Sequence, residues 1–132
     1  MTSFPLKIVT PEGTYKEVDI DQLNIRTNAG QIGVLAHHMP LASGVEISMM
    51  TYLVDGKKEE FAVSGGFIYV SETEVTLILN AIERKDEIDV NRAKRAKERA
   101  ERRLKEKQEG IDYRRAEVAL QRAITRINVK GL

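Results

Sequence analysis

Residues 89–104 have the sequence DVNRAKRAKERAERRL, and their apolar positions repeat with the period of an α-helix. At about 100° per residue, Ala93, Ala96, Ala100 and Leu104 fall in one narrow stripe. The residues before this stretch show a different pattern, in which short β-rich runs alternate with turn residues. The chain is therefore expected to change from strands to helices where its composition changes.

The first part of the chain has turn signals at intervals of roughly 8–12 residues, which is typical of a β-sandwich or barrel. The predicted strands are Lys7–Thr10, Val18–Thr27, Gln31–Leu35, Glu46–Val54, Phe61–Ser64, Phe67–Val70 and Val75–Ile82. Asp55-Gly56 is a strong hairpin signal. Gly65-Gly66, between two of the strands, suggests a bulge or a close approach of two backbones.

The last part of the chain predicts two helices. The first runs from about Asp89 to Lys107, and a break follows at Gln108–Ile111. Asp112 is suited to cap a second helix that ends near Val129, because a carboxylate accepts hydrogen bonds from free backbone amides. The second apolar stripe consists of Ala116, Ala119, Leu120, Ala123, Ile124 and Ile127. So short a connection predicts an antiparallel helical hairpin, and the whole chain is expected to have an α+β fold.

The charges are divided unevenly along the chain. Residues 1–82 contain five basic and ten acidic residues, whereas residues 83–132 contain sixteen basic and ten acidic ones. The net charge of +1 for all 132 residues hides this difference. A basic segment on an acidic domain indicates a polyanionic ligand or an acidic partner for that segment.

Several classes of function are not supported by the sequence. Cysteine is absent, which excludes disulfides, thiolate catalysis and cysteine-ligated metal sites. We expect no signal peptide and no membrane-spanning helix, so membrane association would come through a partner. His37 and His38 lack the spacing and nearby carboxylates of a metal site, so we expect no metal. No nucleophile, base and oxyanion site are combined, and the chain is expected to be non-catalytic.

The two helical stripes are flanked by arginines. Their positions are Arg92, Arg99, Arg103, Arg115, Arg122 and Arg126. If both flanks face the same side of the hairpin, the guanidinium groups converge on one groove and suit a polyphosphate. Glu83 and Asp89 could accept hydrogen bonds from an amino or hydroxyl group nearby. Arginines beside an alanine stripe are also commonly solvated and paired with glutamates, and the pattern alone leaves both interpretations open.

Five segments in order resemble one protein family. They are IVTPEG (8–13), GQIGVLAHHMPL (30–41), VSGGF (63–67), VTLIL (75–79) and IDVNRA (88–93). Over essentially its full length, the chain resembles the ε subunit of bacterial F-type ATP synthases. The resemblance implies a flattened β-sandwich in residues 1–84 and a regulatory helix-loop-helix domain in residues 85–132. It also implies a peripheral position at the cytoplasmic face of the bacterial membrane.

The resemblance implies partners for both domains. The sandwich would contact the γ subunit and the c-subunit ring, and Gln31, Ile32, Gly33 and His38 would belong to the loop that faces them. The extended hairpin would reach the α and β catalytic subunits and inhibit ATP hydrolysis. Three residues near the expected contacts depart from the usual family pattern: Ala36, His37 and Tyr69.

Some bacterial members of this family bind ATP when the hairpin is folded, through a motif Ile/Leu-Asp-x-x-Arg-Ala. That motif is intact at residues 88–93. By resemblance, ATP would be a regulatory ligand with no other cofactor required. Arg92, Arg99, Arg122 and Arg126 would bind its phosphates. Glu83, Ile88 and Asp89 would serve the adenosine side, beside Ala93 of the motif.

Two other functions remain open at this stage. A purely structural rotor subunit would keep every feature of the β domain and leave the arginines solvated. A nucleic-acid-binding module would use the basic helices and lose affinity steeply with salt. The acidic β domain and the scarcity of aromatics for base stacking argue against nucleic acid.

Overall fold

The computed structural model describes residues 2–106, 110 and 112–131 of the chain. Within these residues it contains eight β-strands, a 3-10 segment and two α-helices. The strands are β1 (Phe4–Thr10), β2 (Gly13–Ile20), β3 (Gln22–Thr27), β4 (Gly30–Val34), β5 (Leu41–Val54), β6 (Lys57–Val70), β7 (Val75–Leu79) and β8 (Ile82–Arg84). The 3-10 segment is Lys85–Glu87, and the helices are α1 (Val90–Lys105) and α2 (Tyr113–Lys130).

The β domain is a sandwich built around one apolar core. Its strands follow the order β2-β1-β7-β6-β5-β3-β4, and β8 pairs with β6. Leu6 and Ile20 from one end of this order share a buried cluster with Ile25 and Val34 from the other end. The sheet therefore folds over itself, so that alternate side chains of both layers face the same core. The predicted α+β fold, a sandwich followed by a helical hairpin, is confirmed.

One of the predicted strands is divided by a change of pairing partner. The predicted strand Val18–Thr27 is two strands, since the chain turns at Asp21 from pairing with β1 to pairing with β5. The Asp21 N–H donates to the Leu53 carbonyl at 2.8 Å, and its carboxylate accepts from the Asp55 N–H at 3.0 Å. A change of partner strand leaves no mark in the alternation of apolar residues, so the sequence pattern could not indicate it.

The two glycines at the middle of β6 do not end the strand. β6 continues through Gly65 and Gly66, which have φ angles of 90° and 147°. A Cβ atom at Gly66 would collide with the Ile78 carbonyl, so this is a close backbone approach of the kind predicted. β7 and β8 pair with β6 on either side of this point. The predicted strand Val75–Ile82 is therefore divided into β7 and β8, and the division lies opposite the two glycines of β6.

Aspartates begin both helices, as predicted. Asp89 accepts from the Arg92 N–H at 3.0 Å, and Asp112 accepts from the Arg115 N–H at 3.0 Å. α1 ends at Lys105, two residues before the predicted end. Of the predicted break at Gln108–Ile111, Gly110 is described as a turn with a φ of 86°, and the rest lies outside the described residues.

The hairpin packs through small side chains and lies against the sandwich. Its buried residues include Ala93, Ala100, Ala116 and Ala123, all from the predicted stripes. The assignment of Ile124 to the stripe is wrong, since 37% of this residue is exposed. α2 also packs on β5 and β6, where Val129, Ile88 and Ala62 form a separate buried cluster. No helix in the described part of the chain is long and apolar enough to cross a bilayer.

Candidate functional site

A cleft of about 370 Å³ lies between the hairpin and the end of the sandwich. Its lining residues are Glu83, Glu87, Asp89, Arg92, Ala93, Ala96, Arg99 and Arg126. The volume is within the range of small-molecule sites. We refer to this feature as the arginine cleft.

Helical geometry explains why α1 forms one wall of the arginine cleft. Arg92, Ala96 and Arg99 follow one another at spacings of four and three residues, so they share a face of the helix. Ala93 also lines the cleft and is 3% exposed. Ala93 and Ala96 carry only a methyl group as side chain, and they therefore leave space between the arginines.

An ion pair joins the strand that precedes the hairpin to its second helix. The Arg126 Nε–H donates to the Glu83 carboxylate, and the two side chains are 29% and 32% exposed. The bond connects β8 with α2, which are separated by the whole of α1 in the sequence. Partial burial strengthens a charge-assisted hydrogen bond of this kind relative to one in bulk water.

The other two carboxylates of the arginine cleft are bonded to neutral donors. Asp89 caps α1. Glu87 accepts from the Tyr15 hydroxyl at 2.7 Å and from the Arg84 N–H at 3.1 Å. Burial and, next, the hydrogen bond to Glu87 raise the pKa of Tyr15, so its hydroxyl keeps the proton and remains a donor at neutral pH.

The other three arginines predicted for phosphate have no ion-pair partner among the residues that the structure describes: Arg92, Arg99 and Arg122. Arg92 and Arg99 are exposed side chains of the arginine cleft. The Nε atom of Arg122 is buried and has no hydrogen-bond partner in the described part of the chain. Arg122 is four residues before Arg126 and thus on the same face of α2. A buried donor without a partner suggests that a group from outside the chain is needed to satisfy it.

Six of the eight residues predicted for ATP line the arginine cleft: Glu83, Asp89, Arg92, Ala93, Arg99 and Arg126. The other two lie elsewhere, Ile88 under the hairpin with Ala62 and Val129, and Arg122 one turn from Arg126. The flanking arginines Arg103 and Arg115 are exposed and do not line it. Glu87 also lines the arginine cleft. The sequence pattern did not indicate it, because Glu87 precedes α1 and is not part of the helical periodicity.

The predicted partner residues lie on β4 and in the loop between β4 and β5. Gln31 and Gly33 are exposed on β4, while Ile32 packs partly against the core. His38 is half-buried, and its Nδ1 lies 2.7 Å from the Met39 carbonyl. In the described residues, no group of three or more His, Cys, Asp or Glu side chains is arranged to hold a metal ion.

Sequence models of two domains together match residues 3–131 of the chain. Residues 3–85 match "ATP synthase, Delta/Epsilon chain, beta-sandwich domain". Residues 86–131 match "ATP synthase, Delta/Epsilon chain, long alpha-helix domain". The chain belongs to the delta/epsilon family of ATP synthase subunits. The resemblance inferred from the five sequence segments is thereby confirmed.

Curated bacterial relatives cover nearly the whole chain. The ATP synthase epsilon chain of Desulfitobacterium hafniense (strain Y51) is 45% identical over 126 residues, which are 96% of this chain and 95% of the relative. That of Bacillus mycoides (strain KBAB4) is 39% identical over 132 residues, covering 100% and 99%. Both family domains are therefore present in proteins of similar length.

Solved structures support the fold. A chain of the Euglena gracilis mitochondrial ATP synthase, in a cryo-EM structure of OSCP, F1 and the c-ring, matches with a TM-score of 0.81 and 26% identity over 92% of this chain and 77% of that one. A chain of the Tetrahymena thermophila mitochondrial ATP synthase central stalk and c-ring matches with a TM-score of 0.56. At 11% identity over 98% of this chain and 94% of that one, the second match is evidence for the fold alone.

The Glu83–Arg126 ion pair should hold α2 against the sandwich in the absence of ligand. We expect a double-mutant cycle of Glu83→Gln and Arg126→Gln to give a coupling free energy of about 1–2 kcal/mol, because the bond is charge-assisted and partly buried. Hydrogen exchange of α2 amides in nucleotide-free buffer measures the effect.

The matched control for this cycle is the exposed pair Arg26–Glu46, whose Nε and Oε2 atoms are 3.4 Å apart. With 60% and 46% of its side chains exposed, this pair should give a coupling below about 0.5 kcal/mol, measured on amides of β3. Equal couplings for the two pairs would show that Glu83–Arg126 does not hold the hairpin.

Proposed function

We propose that this protein is the coupling and regulatory subunit of a rotary, proton-translocating ATP synthase at the cytoplasmic face of a bacterial membrane. Its β domain would connect the γ subunit to the c-subunit ring. Its hairpin would bind ATP while folded and inhibit ATP hydrolysis when extended. Family membership supports the place in the complex, and the arginine cleft supports the nucleotide.

The coupling role is supported by an apolar patch on the outer face of the sandwich. Val9, Ile78, Phe67 and Gly44 are neighbours in one row across β1, β7, β6 and β5. Phe67 and Ile78 are 56% and 46% exposed, and Tyr69 beside them is 48% exposed. Contiguous exposed apolar side chains of this kind mark a protein-docking surface. We call Val9, Phe67, Tyr69 and Ile78 the outer patch and assign it to the γ subunit.

The β4–β5 loop supports a second contact in the same role. Leu35 and Met39 are 52% and 79% exposed there, next to the predicted contact residues Gln31 and His38. His37 in this loop has a φ of 64°, a conformation uncommon outside glycine. A loop held in this shape with apolar side chains exposed suits the membrane-embedded ring, and we assign the loop to it.

Phe67→Asp should weaken association with the γ subunit at least tenfold. A buried phenylalanine contributes about 1.5–3 kcal/mol, and the new carboxylate would be desolvated in the interface. Surface plasmon resonance with immobilised γ subunit measures this. Met49→Asp is the control, because Met49 is 45% exposed but lies outside the outer patch. An affinity of Phe67→Asp equal to that of the control would contradict the assignment of the outer patch.

The regulatory role is supported by Arg122, which lies one turn from the cleft residue Arg126 and whose buried Nε atom has no hydrogen-bond partner among the described residues. Arg92 and Arg99 line the cleft itself. A polyphosphate supplies the missing acceptors, and guanidinium groups suit its oxygens. Glu83 and Asp89 line the same cleft, and their carboxylates are acceptors for the amino or hydroxyl groups of the nucleoside. A nucleoside triphosphate combines both kinds of group.

ATP bound between the helices would favour the folded hairpin by mass action. At a ligand concentration a hundredfold above Kd, the gain is about 2.7 kcal/mol, provided that the extended hairpin does not bind. That gain is decisive only for a weakly docked element. The buried alanines Ala93, Ala100, Ala116 and Ala123 fit this requirement, because methyl groups bury little apolar surface.

When ATP is scarce, the hairpin would extend and present its basic face to the catalytic α and β subunits. Residues 83–132 contain sixteen basic and ten acidic residues, which suits an acidic partner. ATP hydrolysis by the complex reconstituted with Arg92→Ala should remain inhibited at ATP concentrations that release the wild type. Equal activity at every concentration would contradict the inhibitory role.

Isothermal titration of the whole protein with ATP tests the nucleotide site. We expect binding in the wild type, and Arg92→Ala or Arg126→Ala should weaken it by about 1–3 kcal/mol, the scale of a hydrogen bond to a charged group. Arg95→Ala is the matched control, since Arg95 is an exposed arginine of α1 that does not line the arginine cleft.

The same titration separates the alternatives. Absence of binding at millimolar ATP would favour a purely structural rotor subunit. Equal losses for Arg92→Ala and Arg95→Ala would mean that nucleotide binds the basic surface in general. In that case a steep dependence of RNA affinity on salt would support the nucleic-acid-binding module instead.

A further inference from the structure

A hydrogen bond connects the edge of the sandwich to the wall of the arginine cleft. Tyr15 lies on the edge strand β2, and its hydroxyl donates to Glu87 Oε1 at 2.7 Å across 72 positions of the sequence. Glu87 is the last residue of the 3-10 segment that leads from β8 towards α1, and its side chain lines the arginine cleft. Tyr15 itself packs partly against the core, so the donor belongs to the folded sandwich.

Two other carboxylates near the start of the hairpin are paired with a cation. Glu83 is bonded to Arg126. Asp86 accepts from the Arg84 Nε–H at 2.6 Å, and this bond lowers the pKa of Asp86. Each of these two carboxylates therefore already has a cation as its partner.

Glu87 is different, because its described donors are a tyrosine hydroxyl and a backbone N–H. It takes part in none of the ion pairs among the described residues, although it shares the arginine cleft with Arg92 and Arg99. A glutamate side chain has several rotatable bonds and is attracted to a nearby guanidinium. If nothing held Glu87, its carboxylate would compete with an incoming anion for these arginines.

We propose that Tyr15 is a positioning residue for the nucleotide site. It holds the Glu87 carboxylate away from Arg92 and Arg99 and so leaves their guanidinium groups free for a polyphosphate. The inference rests on the proposed function of the arginine cleft. It adds to that site a residue of the β domain, which acts through a side-chain contact outside the sequence motif at residues 88–93.

The test is a titration of four proteins with ATP: the wild type, Tyr15→Phe, Glu87→Gln and the double variant. Phenylalanine keeps the ring that packs on the core and removes only the hydroxyl. We expect Tyr15→Phe to weaken binding about two- to fivefold, the effect of one competing, partly exposed ion pair. Glu87→Gln should bind at least as tightly as the wild type, because a neutral amide does not compete for guanidinium.

The double variant distinguishes positioning from a general effect on the fold. If Tyr15 acts through Glu87, the double variant binds as Glu87→Gln does, and the loss caused by Tyr15→Phe disappears. Tyr113→Phe is the matched control. It also removes a tyrosine hydroxyl that donates a hydrogen bond, here to the Glu106 carbonyl at 2.6 Å, but at the other end of the hairpin. Its affinity should equal that of the wild type.

Unchanged affinity of Tyr15→Phe, or an equal loss in the Glu87→Gln background, would overturn the proposal. A parallel titration with inorganic tripolyphosphate separates this inference from the nucleotide function. If tripolyphosphate shows the expected pattern but ATP does not bind, the nucleotide function is wrong and the positioning role holds. If neither anion binds to any of the variants, both are wrong.

Discussion

Close packing through alanine is the constraint on which the rest of the hairpin depends. Four alanines are buried in its two helices: Ala93, Ala100, Ala116 and Ala123. Because no larger side chain separates the backbones there, arginines beside the stripes on both helices reach one cleft. Larger apolar residues at these positions would push α1 and α2 apart and would remove the convergence of Arg92 and Arg126.

The same constraint limits the apolar surface that the two helices bury against each other. Methyl groups bury little surface, so the free energy of docking depends strongly on polar contacts at the junction with the sandwich. The Glu83–Arg126 ion pair is one such contact, and Tyr15–Glu87 is another. A polyphosphate between the helices would add to these contacts and would be lost with the docked state. Docking of the hairpin and binding of the ligand would therefore be coupled.

Much of this organisation could be predicted from the sequence, because it depends on local chemistry. The helical period predicts the alanine stripes and the arginines beside them, and the caps at Asp89 and Asp112 follow from backbone amides that need acceptors. The exposure of Ile124 and the burial of Val129 depend on how α2 meets β5 and β6. The helical period carries no information on such contacts.

Contacts between distant segments could not be predicted in this way. The bond between Tyr15 and Glu87 depends on where β2 lies relative to the 3-10 segment, and neither residue belongs to a periodic pattern. The outer patch forms because Val9 pairs with Ile78 and Ile78 pairs with Phe67. These pairings cannot be inferred until the order of the strands in the sheet is known. Resemblance to the family indicated candidate residues for ATP, while the structure added their neighbours and partners.

Hydrogen exchange of the whole protein with and without ATP tests the central claim most directly. With ATP a hundredfold above Kd, amides of α1 and α2 that exchange by undocking should be protected about a hundredfold more, while those in the core of the sandwich stay unchanged. Arg92→Ala should show this protection reduced by about fivefold or more at the same ATP concentration, since its binding of ATP is expected to be weaker by about 1–3 kcal/mol. Equal exchange of the hairpin amides with and without ATP would contradict the claim that a nucleotide holds the hairpin folded.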